Sequence, residues 1–206
     1  MIKFYMKNNT KKRLNLNQEN KKININKKIF RQICIKKLQK ASSFSKIQKD
    51  KQVIKKLETL VKKERPKNIL AFVPLKNEPD ILPFINKKRK KCNIFVPFME
   101  GVSFKIVKFR LPLRQKKFSI KEPPNSFIKN TKIDLAIVPV LGVDGDYKRI
   151  GFGKGMYDRF FAKLSYTPVI IFVQIEECLI KKSICDLHDI QADYYITPKK
   201  ILKIKR

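Results

Sequence analysis

The sequence predicts an α/β domain in which helices cover both faces of a mostly parallel sheet. Short, almost wholly apolar segments recur along the chain, as expected for strands buried on both sides. Segments whose apolar residues follow a helical period separate most of them. The chain has 206 residues, of which 43% are hydrophobic, and this is enough for one domain with a substantial core.

Two helices are predicted before the first strand. Residues 27–41 place five apolar side chains near one helix face: Ile29, Phe30, Ile33, Cys34 and Leu38. The second helix follows Ser45, a residue type that caps helix N-termini, and stops at Pro66. Its apolar side chains also recur at helical spacing: Val53, Ile54, Leu57, Leu60 and Val61.

The next segments predict a parallel strand–helix–strand unit. A buried strand over 68–75 and a second over 93–98 flank a helix over 80–90. Residues 102–110 alternate imperfectly and add a strand or hairpin. Residues 121–126, which contain two prolines, predict a rigid loop.

The second half of the chain repeats this pattern. Buried strands are predicted over 133–140 and 168–174, with a helix over 155–164 between them. A short helix is expected before His188, and a last strand is expected over 194–197. We find no repeat or linker, so one domain is predicted.

A glycine-rich loop follows the 133–140 strand and carries the main functional signal. Gly151, Gly153 and Gly155 are three of only six glycines, and Arg149, Lys154 and Arg159 flank them. Backbone N–H groups at a strand-to-helix turn, together with cations, favour phosphate binding. The loop fits neither the Walker A nor the dinucleotide-binding pattern. A purely structural turn is the alternative, although it needs fewer glycines.

Acidic residues near this loop are candidate metal ligands. Asp158 follows the loop, where a carboxylate could hold Mg²⁺ on phosphate oxygens, or else pair with Lys154 or Arg159. Asp189, next to the only histidine, is a second candidate ligand or a helix-terminus acid.

Two further positions are candidates for binding ligands. Glu78 lies after a predicted parallel strand, at the edge where α/β sheets bind ligands, or else is a solvated loop acid. Lys27 and Arg31 are spaced i, i+4 and can reach one anion.

The formal net charge of +32 raises the possibility of a nucleic-acid-binding protein. The excess of Lys, Asn and Ile runs through the whole chain, as expected from a biased coding sequence, and no basic motif interleaved with aromatic residues accompanies it. We therefore expect sequence-independent attraction at low salt rather than a specific nucleic-acid site.

The scattered cysteines and the N-terminus bear on location. Cys34, Cys92, Cys178 and Cys185 form no CxxC pair, which favours reduced, mostly buried thiols in a cytoplasmic protein. No apolar run reaches membrane-spanning length, so no membrane partner is expected. Residues 1–22 lack the apolar core of a secretory signal and predict a basic, flexible tail; an organelle transit peptide is the open alternative.

These motifs together resemble the 5-formyltetrahydrofolate cyclo-ligase (5,10-methenyltetrahydrofolate synthetase) family. Residues 134–139, Asp144 and residues 149–159 match the family's Asp-Leu-hydrophobic-Val-Pro strand and its Arg-Leu-Gly-Tyr-Gly-x-Gly-Tyr-Tyr-Asp-Arg run. Weaker matches extend over nearly the whole chain: Lys27 and Arg31, Glu78, Phe95-Val96-Pro97, Glu122-Pro123 and His188-Asp189. The chain departs from the family pattern at four positions: Val73, Phe98, Val143 and Met156.

The resemblance implies a single three-layer α/β/α domain over residues 23–206, with a mostly parallel (mixed) central sheet. It implies ATP- and Mg²⁺-dependent closure of 5-formyltetrahydrofolate to 5,10-methenyltetrahydrofolate, with release of ADP and phosphate, by a monomer. A basic nucleic-acid-associated protein on a degenerate nucleotide-binding fold is the alternative from another class. An ATP-dependent enzyme acting on another formylated amine is a third.

The resemblance also assigns roles to individual residues. Arg149 and Lys154 would be catalytic, and Asp158 and Asp189 would bind Mg²⁺. The residues expected to bind ATP are Lys27, Arg31, Arg149, Ile150, Gly151, Phe152, Gly153, Lys154, Gly155, Met156 and Tyr157. Those expected to contact the folate are Val73, Glu78, Phe152 and Met156.

Overall fold

The computed structural model describes residues 25–43, 45–115, 121–128 and 131–204. The helices formed by these residues are α1 (Lys27–Ser43), α2 (Lys46–Glu64), α3 (Leu82–Lys88) and α4 (Met156–Ala162). The strands are β1 (Asn68–Leu70), β2 (Asn93–Glu100), β3 (Ser103–Lys108), β4 (Arg114–Gln115), β5 (Lys121–Glu122), β6 (Leu135–Pro139), β7 (Gly142–Val143), β8 (Arg149–Ile150), β9 (Val169–Val173), β10 (Tyr194–Ile196) and β11 (Ile201–Lys203). The predicted tail, residues 1–22, lies outside the described residues.

One seven-stranded sheet, in the order β11–β10–β9–β6–β1–β2–β3, organises the fold. Its five inner strands are parallel, while β3 and β11 pair antiparallel at the two edges. The structure confirms the mostly parallel mixed sheet, the β1–α3–β2 unit and the β2–β3 hairpin. All five residues of β6 are buried, as the continuous apolar run predicts.

Alternating side chains of the parallel strands enter two separate cores. In β6, Leu135 and Ile137 join the core beneath α2 and α3. Ala136 and Val138 join the core on the other face, against which α4 packs. Because successive strand residues point to opposite faces, a run of apolar residues is required to fill both layers.

Helix α1 packs at the carboxyl edge of the sheet. Its buried residues Phe30, Cys34 and Leu38 meet segments that follow β6 and β9. Ile29 and Ile33, predicted on the same face, are instead 37% and 46% exposed, because the i, i+4, i+8 stripe is centred on Cys34. This position places the start of α1 beside the glycine-rich loop.

Several local predictions are wrong in detail. Ser45 precedes α2 with a left-handed backbone, and its side chain makes no capping hydrogen bond. The segment before His188 forms turns rather than a helix, held partly by Asp144 Oδ2, which accepts hydrogen bonds from two of its backbone N–H groups. The predicted 121–126 loop begins with β5, which pairs with β4. No described helix is both long enough and apolar enough to cross a membrane.

Candidate active site

Two cavities open at the carboxyl edge of the parallel strands. The larger, the glycine-loop cavity, has a volume of about 510 Å³. Its lining residues are Lys27, Arg31, Arg149, Gly151, Gly153, Lys154, Gly155, Asp158, Arg159, Ala162, His188 and Asp189. The smaller, the Glu78 cavity, has about 230 Å³. Its lining residues are Leu38, Leu75, Lys76, Asn77, Glu78, Pro139, Val140, Leu141, Arg149 and Phe152.

The glycine-rich loop brings the backbone close to two guanidinium groups. A Cβ on Gly151 would lie 2.3 Å from Arg149 Nη1, so only glycine leaves room for that side chain. Arg31 Nε donates a hydrogen bond to the Gly151 carbonyl oxygen at 2.9 Å. Gly153 has φ +92°, a backbone conformation that L side chains rarely adopt. The loop is therefore held open by its glycines and braced from α1.

Arg149 is a buried cation without an anionic partner. Its side chain lies between the two cavities and is 9% exposed. Nε donates to the Pro139 carbonyl oxygen at 3.3 Å, and the guanidinium lies 4.7 Å from the centre of the Tyr157 ring. No carboxylate of the described residues forms an ion pair with it. Because a buried unpaired charge is costly, this group is suited to meet an anionic ligand.

The Glu78 carboxyl group defines the second cavity. Its Oε2 accepts a hydrogen bond from the Leu75 backbone N–H at 2.9 Å. Burial raises the pKa of Glu78 to about 7, although this hydrogen bond and the nearby charge of Arg149 act in the opposite direction. A polar group that can gain or lose a proton near neutral pH therefore faces an otherwise largely apolar pocket.

The acidic residues gather on the other side of the glycine-loop cavity. Asp158 forms no ion pair with Lys154 or Arg159 in the described structure, contrary to the alternative considered from the sequence. Its Oδ1 instead accepts from the Ile190 N–H at 3.4 Å, which brings it close to Asp189. Arg159 donates from Nε to the Val102 carbonyl oxygen at 2.9 Å.

Lys27 pairs with two carboxylates at this place. Its Nζ contacts Asp189 Oδ2 and lies 3.0 Å from Asp186 Oδ2. Burial alone would lower the pKa of Lys27, but the hydrogen bonds to Asp189 and Asp186 raise it above its ordinary value. Asp186, His188 and Asp189 also hold their ligand atoms within 4.8 Å of one another.

Some of the predicted site residues do not line either cavity. Ile150 is fully buried in the core beneath α1. Val73 packs against the core beneath α2 and α3, and Met156 against the opposite core. Tyr157 supports the guanidinium of Arg149 from the side of that second core. Phe152 is 57% exposed and does line the Glu78 cavity.

Several lining residues were not among the predicted site residues. His188 and Arg159 line the glycine-loop cavity, and Val140 and Leu141 line the Glu78 cavity. The rule that ligands bind beyond the carboxyl ends of parallel strands could have identified Val140 and Leu141, which directly follow β6. Asp186 had no such signal, because only the folded chain places it beside Lys27.

Comparisons with known proteins identify the family of the chain. A family model described as the 5-formyltetrahydrofolate cyclo-ligase family matches residues 23–198. A 5-formyltetrahydrofolate cyclo-ligase of Mycoplasma pneumoniae is 31% identical over 132 residues, 62% of this chain and 74% of that protein. One from Mycolicibacterium smegmatis is 26% identical over 148 residues, 65% of this chain and 75% of that protein.

A solved structure shares the fold. The NMR structure of Aquifex aeolicus 5,10-methenyltetrahydrofolate synthetase superposes with a TM-score of 0.72 at 24% identity. The alignment covers 87% of this chain and 93% of that one. The common architecture therefore includes nearly all of the neighbour's chain.

Proposed function

The chain belongs to the 5-formyltetrahydrofolate cyclo-ligase family, whose members are ligases, and we propose that it uses ATP and Mg²⁺ to convert 5-formyltetrahydrofolate to 5,10-methenyltetrahydrofolate. The observation that carries this proposal is the unpaired guanidinium of Arg149 between two adjacent cavities. A reaction that joins a phosphate donor to a second substrate needs a cation at that junction.

The proposed chemistry needs two aligned substrates rather than a protein nucleophile. The formyl oxygen attacks the γ-phosphorus of ATP, and the bond to the leaving ADP breaks. N10 of the folate then attacks the activated carbon, N10 loses its proton, and the carbon–oxygen bond to phosphate breaks. Holding both substrates in contact converts a bimolecular step into an effectively unimolecular one. Two cavities that share one lining side chain suit this requirement.

ATP is assigned to the glycine-loop cavity. Lys27 and Arg31 approach it from α1, and Arg149, Gly151 and residues 153–155 line it from the glycine-rich loop. Arg149 and Lys154 are the groups we assign to the developing charge on the transferred phosphoryl group. The following helix, α4, has only seven residues, so these side-chain charges supply most of the positive potential.

Asp158 and Asp189 are the proposed Mg²⁺ ligands. Both line the glycine-loop cavity, and Mg²⁺ prefers carboxylate oxygens together with substrate phosphates. Asp158 Oδ2 and Asp189 Oδ1 accept no hydrogen bond from the described residues, so each carboxylate keeps one oxygen for the ion, while Asp189 Oδ2 contacts Lys27 Nζ. When bound, the ion would neutralise charge on the phosphate oxygens.

The Glu78 cavity is proposed to receive the reacting end of the folate. Glu78 can accept or donate a hydrogen bond there, and the exposed ring of Phe152 offers an apolar face. Val73 and Met156 are half-buried, pack against the cores and line neither cavity, so any effect of these residues on the folate would act through the position of their neighbours. Val143, another departure from the family pattern, is fully buried in a core.

We also propose that the enzyme acts as a monomer in the cytoplasm. Both cavities are lined by residues of one chain, so no second copy is needed to complete them. The described cysteines are free thiols, in keeping with a reducing compartment.

The decisive test is the appearance of the near-UV chromophore of methenyltetrahydrofolate. Folded protein should form it from 5-formyltetrahydrofolate only when Mg²⁺ and ATP are both present, with one phosphate released per product. Absence of an ATP-dependent signal would refute the proposal. Product formed from another formylated amine but not from this folate would favour the third candidate function.

The metal assignment is tested by Asp158→Asn, which removes the charge and keeps the shape. We expect turnover to fall at least 100-fold, which is the usual effect of losing one electrostatic group that stabilises a transition state. Calorimetry in the presence of ATP should also show weaker Mg²⁺ binding. Asp146→Asn is the matched control, since Asp146 is exposed and lines neither cavity. Equal losses in both variants would contradict the assignment.

A further inference from the structure

The amino ends of β1 and β2, opposite the two cavities, form a strongly basic groove. This amino-edge groove has a volume of about 670 Å³ and is lined by residues 61, 65–67 and 88–93. Six of its ten lining residues are Lys or Arg, against 49 of 206 in the whole chain. The general excess of lysine therefore does not account for this concentration.

The charge in the amino-edge groove is not balanced by the protein. No acidic residue is among its lining residues, whereas the glycine-loop cavity contains both cations and carboxylates. None of its six cations forms an ion pair within the described structure. Glu64 lies nearby but accepts from the Tyr194 hydroxyl, and Asp134 accepts from the backbone N–H groups of Lys67 and Asn68.

Helix ends explain only part of this charge. Cations in the last turn of a helix stabilise its C-terminus, and Lys62, Lys63, Lys87 and Lys88 occupy those turns of α2 and α3. Lys67, Lys90 and Lys91 lie beyond the helix ends and are exposed. Their mutual repulsion is unfavourable without an anion, so a ligand of opposite charge fits the site better than a stabilising role.

The lining also indicates which kind of anion fits. Its aliphatic residues, Val61 and Pro66, are buried, and no aromatic side chain lines the groove. A protein partner would need an exposed apolar anchor, and base recognition would need aromatic platforms. A chain of backbone phosphates needs neither.

We propose that the amino-edge groove binds the sugar–phosphate backbone of nucleic acid, independently of base sequence. This function is separate from catalysis, because the groove lies at the opposite edge of the sheet from both cavities.

The test compares two triple variants of the full chain that carry the same change in net charge. The groove variant combines Lys67→Glu, Lys90→Glu and Lys91→Glu. The control variant combines Lys36→Glu, Lys51→Glu and Lys55→Glu, which change exposed residues of α1 and α2. Binding to a fluorescein-labelled 20-nucleotide oligouridylate is followed by anisotropy over a range of salt concentrations. The groove variant should lose about tenfold or more in affinity at 0.1 M salt, and its salt slope should fall by about 2, as expected when about three phosphate contacts are lost.

The other outcomes have equally clear meanings. Equal losses in both variants, or none, would show attraction to net charge alone and overturn the proposal. If a poly-glutamate peptide competes for the groove better than unlabelled oligouridylate of equal charge, the occupant is an acidic protein partner and the nucleic-acid proposal is wrong. If the groove variant fails to fold, Lys67→Gln, Lys90→Gln and Lys91→Gln are compared with the matching Gln control. If the groove variant forms methenyltetrahydrofolate at the original rate, the binding function of the groove is separate from the ligase activity.

Discussion

Replacing Arg149 by methionine should abolish turnover without weakening the fold. The variant loses a hydrogen bond of 3.3 Å and a cation–π contact, each contributing about 1–2 kcal/mol. It also removes the cost of burying an unpaired charge, which is several kcal/mol. We therefore expect the free energy of unfolding to stay within about 1 kcal/mol of the original value or to increase. Breaking a buried ion pair would instead cost about 3–5 kcal/mol.

Turnover of the Arg149→Met variant should fall, although its stability does not. Losing one group that stabilises transition-state charge costs about 3–4 kcal/mol, or a 100- to 1,000-fold fall in kcat/KM. Urea denaturation and methenyl formation measure the two effects. Arg110→Met is an exposed control that should change neither. Arg159→Met should cost about 1 kcal/mol or more in stability, because Arg159 braces backbone carbonyl groups. Destabilisation of Arg149→Met by more than 3 kcal/mol, or turnover within tenfold of the original, would refute the reasoning.

Three further predictions concern the loop, the buried acid and the tail. Gly151→Ala should lower turnover at least tenfold by displacing the Arg149 guanidinium. The control is Gly101→Ala, whose Cβ would meet nothing within 4 Å and which should only lower stability slightly. Equal losses of turnover in the two variants would contradict this prediction. Since burial raises the pKa of Glu78 from 4.5 to about 7, the free energy of unfolding should fall by at most about 3 kcal/mol as pH rises between those values. Glu78→Gln should remove this dependence of the free energy of unfolding on pH, as measured by urea denaturation. An unchanged pH dependence would show that another group causes it. Deleting residues 1–22 should weaken retention on an anionic resin at low salt and leave methenyl formation unchanged; lost turnover would show that the tail contributes to catalysis.

Local patterns predicted most of the architecture correctly. The parallel sheet follows from apolar runs such as β6, because a strand covered on both faces must be apolar at every position. Pro66 ends α2 as predicted, with Arg65 in a left-handed conformation before it. The prediction of a helix before His188 is wrong because Asp144, 40 residues earlier, satisfies that segment's backbone N–H groups. A bond between such distant positions has no signature in a local window.

The sequence by itself predicted a phosphate site at the glycine-rich loop and the cations around it, because closely spaced glycines let a backbone approach a ligand. It also placed Glu78 at the ligand-binding edge, since parallel strands end there. Only the tertiary structure showed that no carboxylate of the described residues forms an ion pair with Arg149 and that Arg149 lines both cavities. It also showed that Val73 and Met156 are half-buried and pack against the cores. Charge pairing and burial depend on which distant segments meet, and only packing of the whole chain decides that.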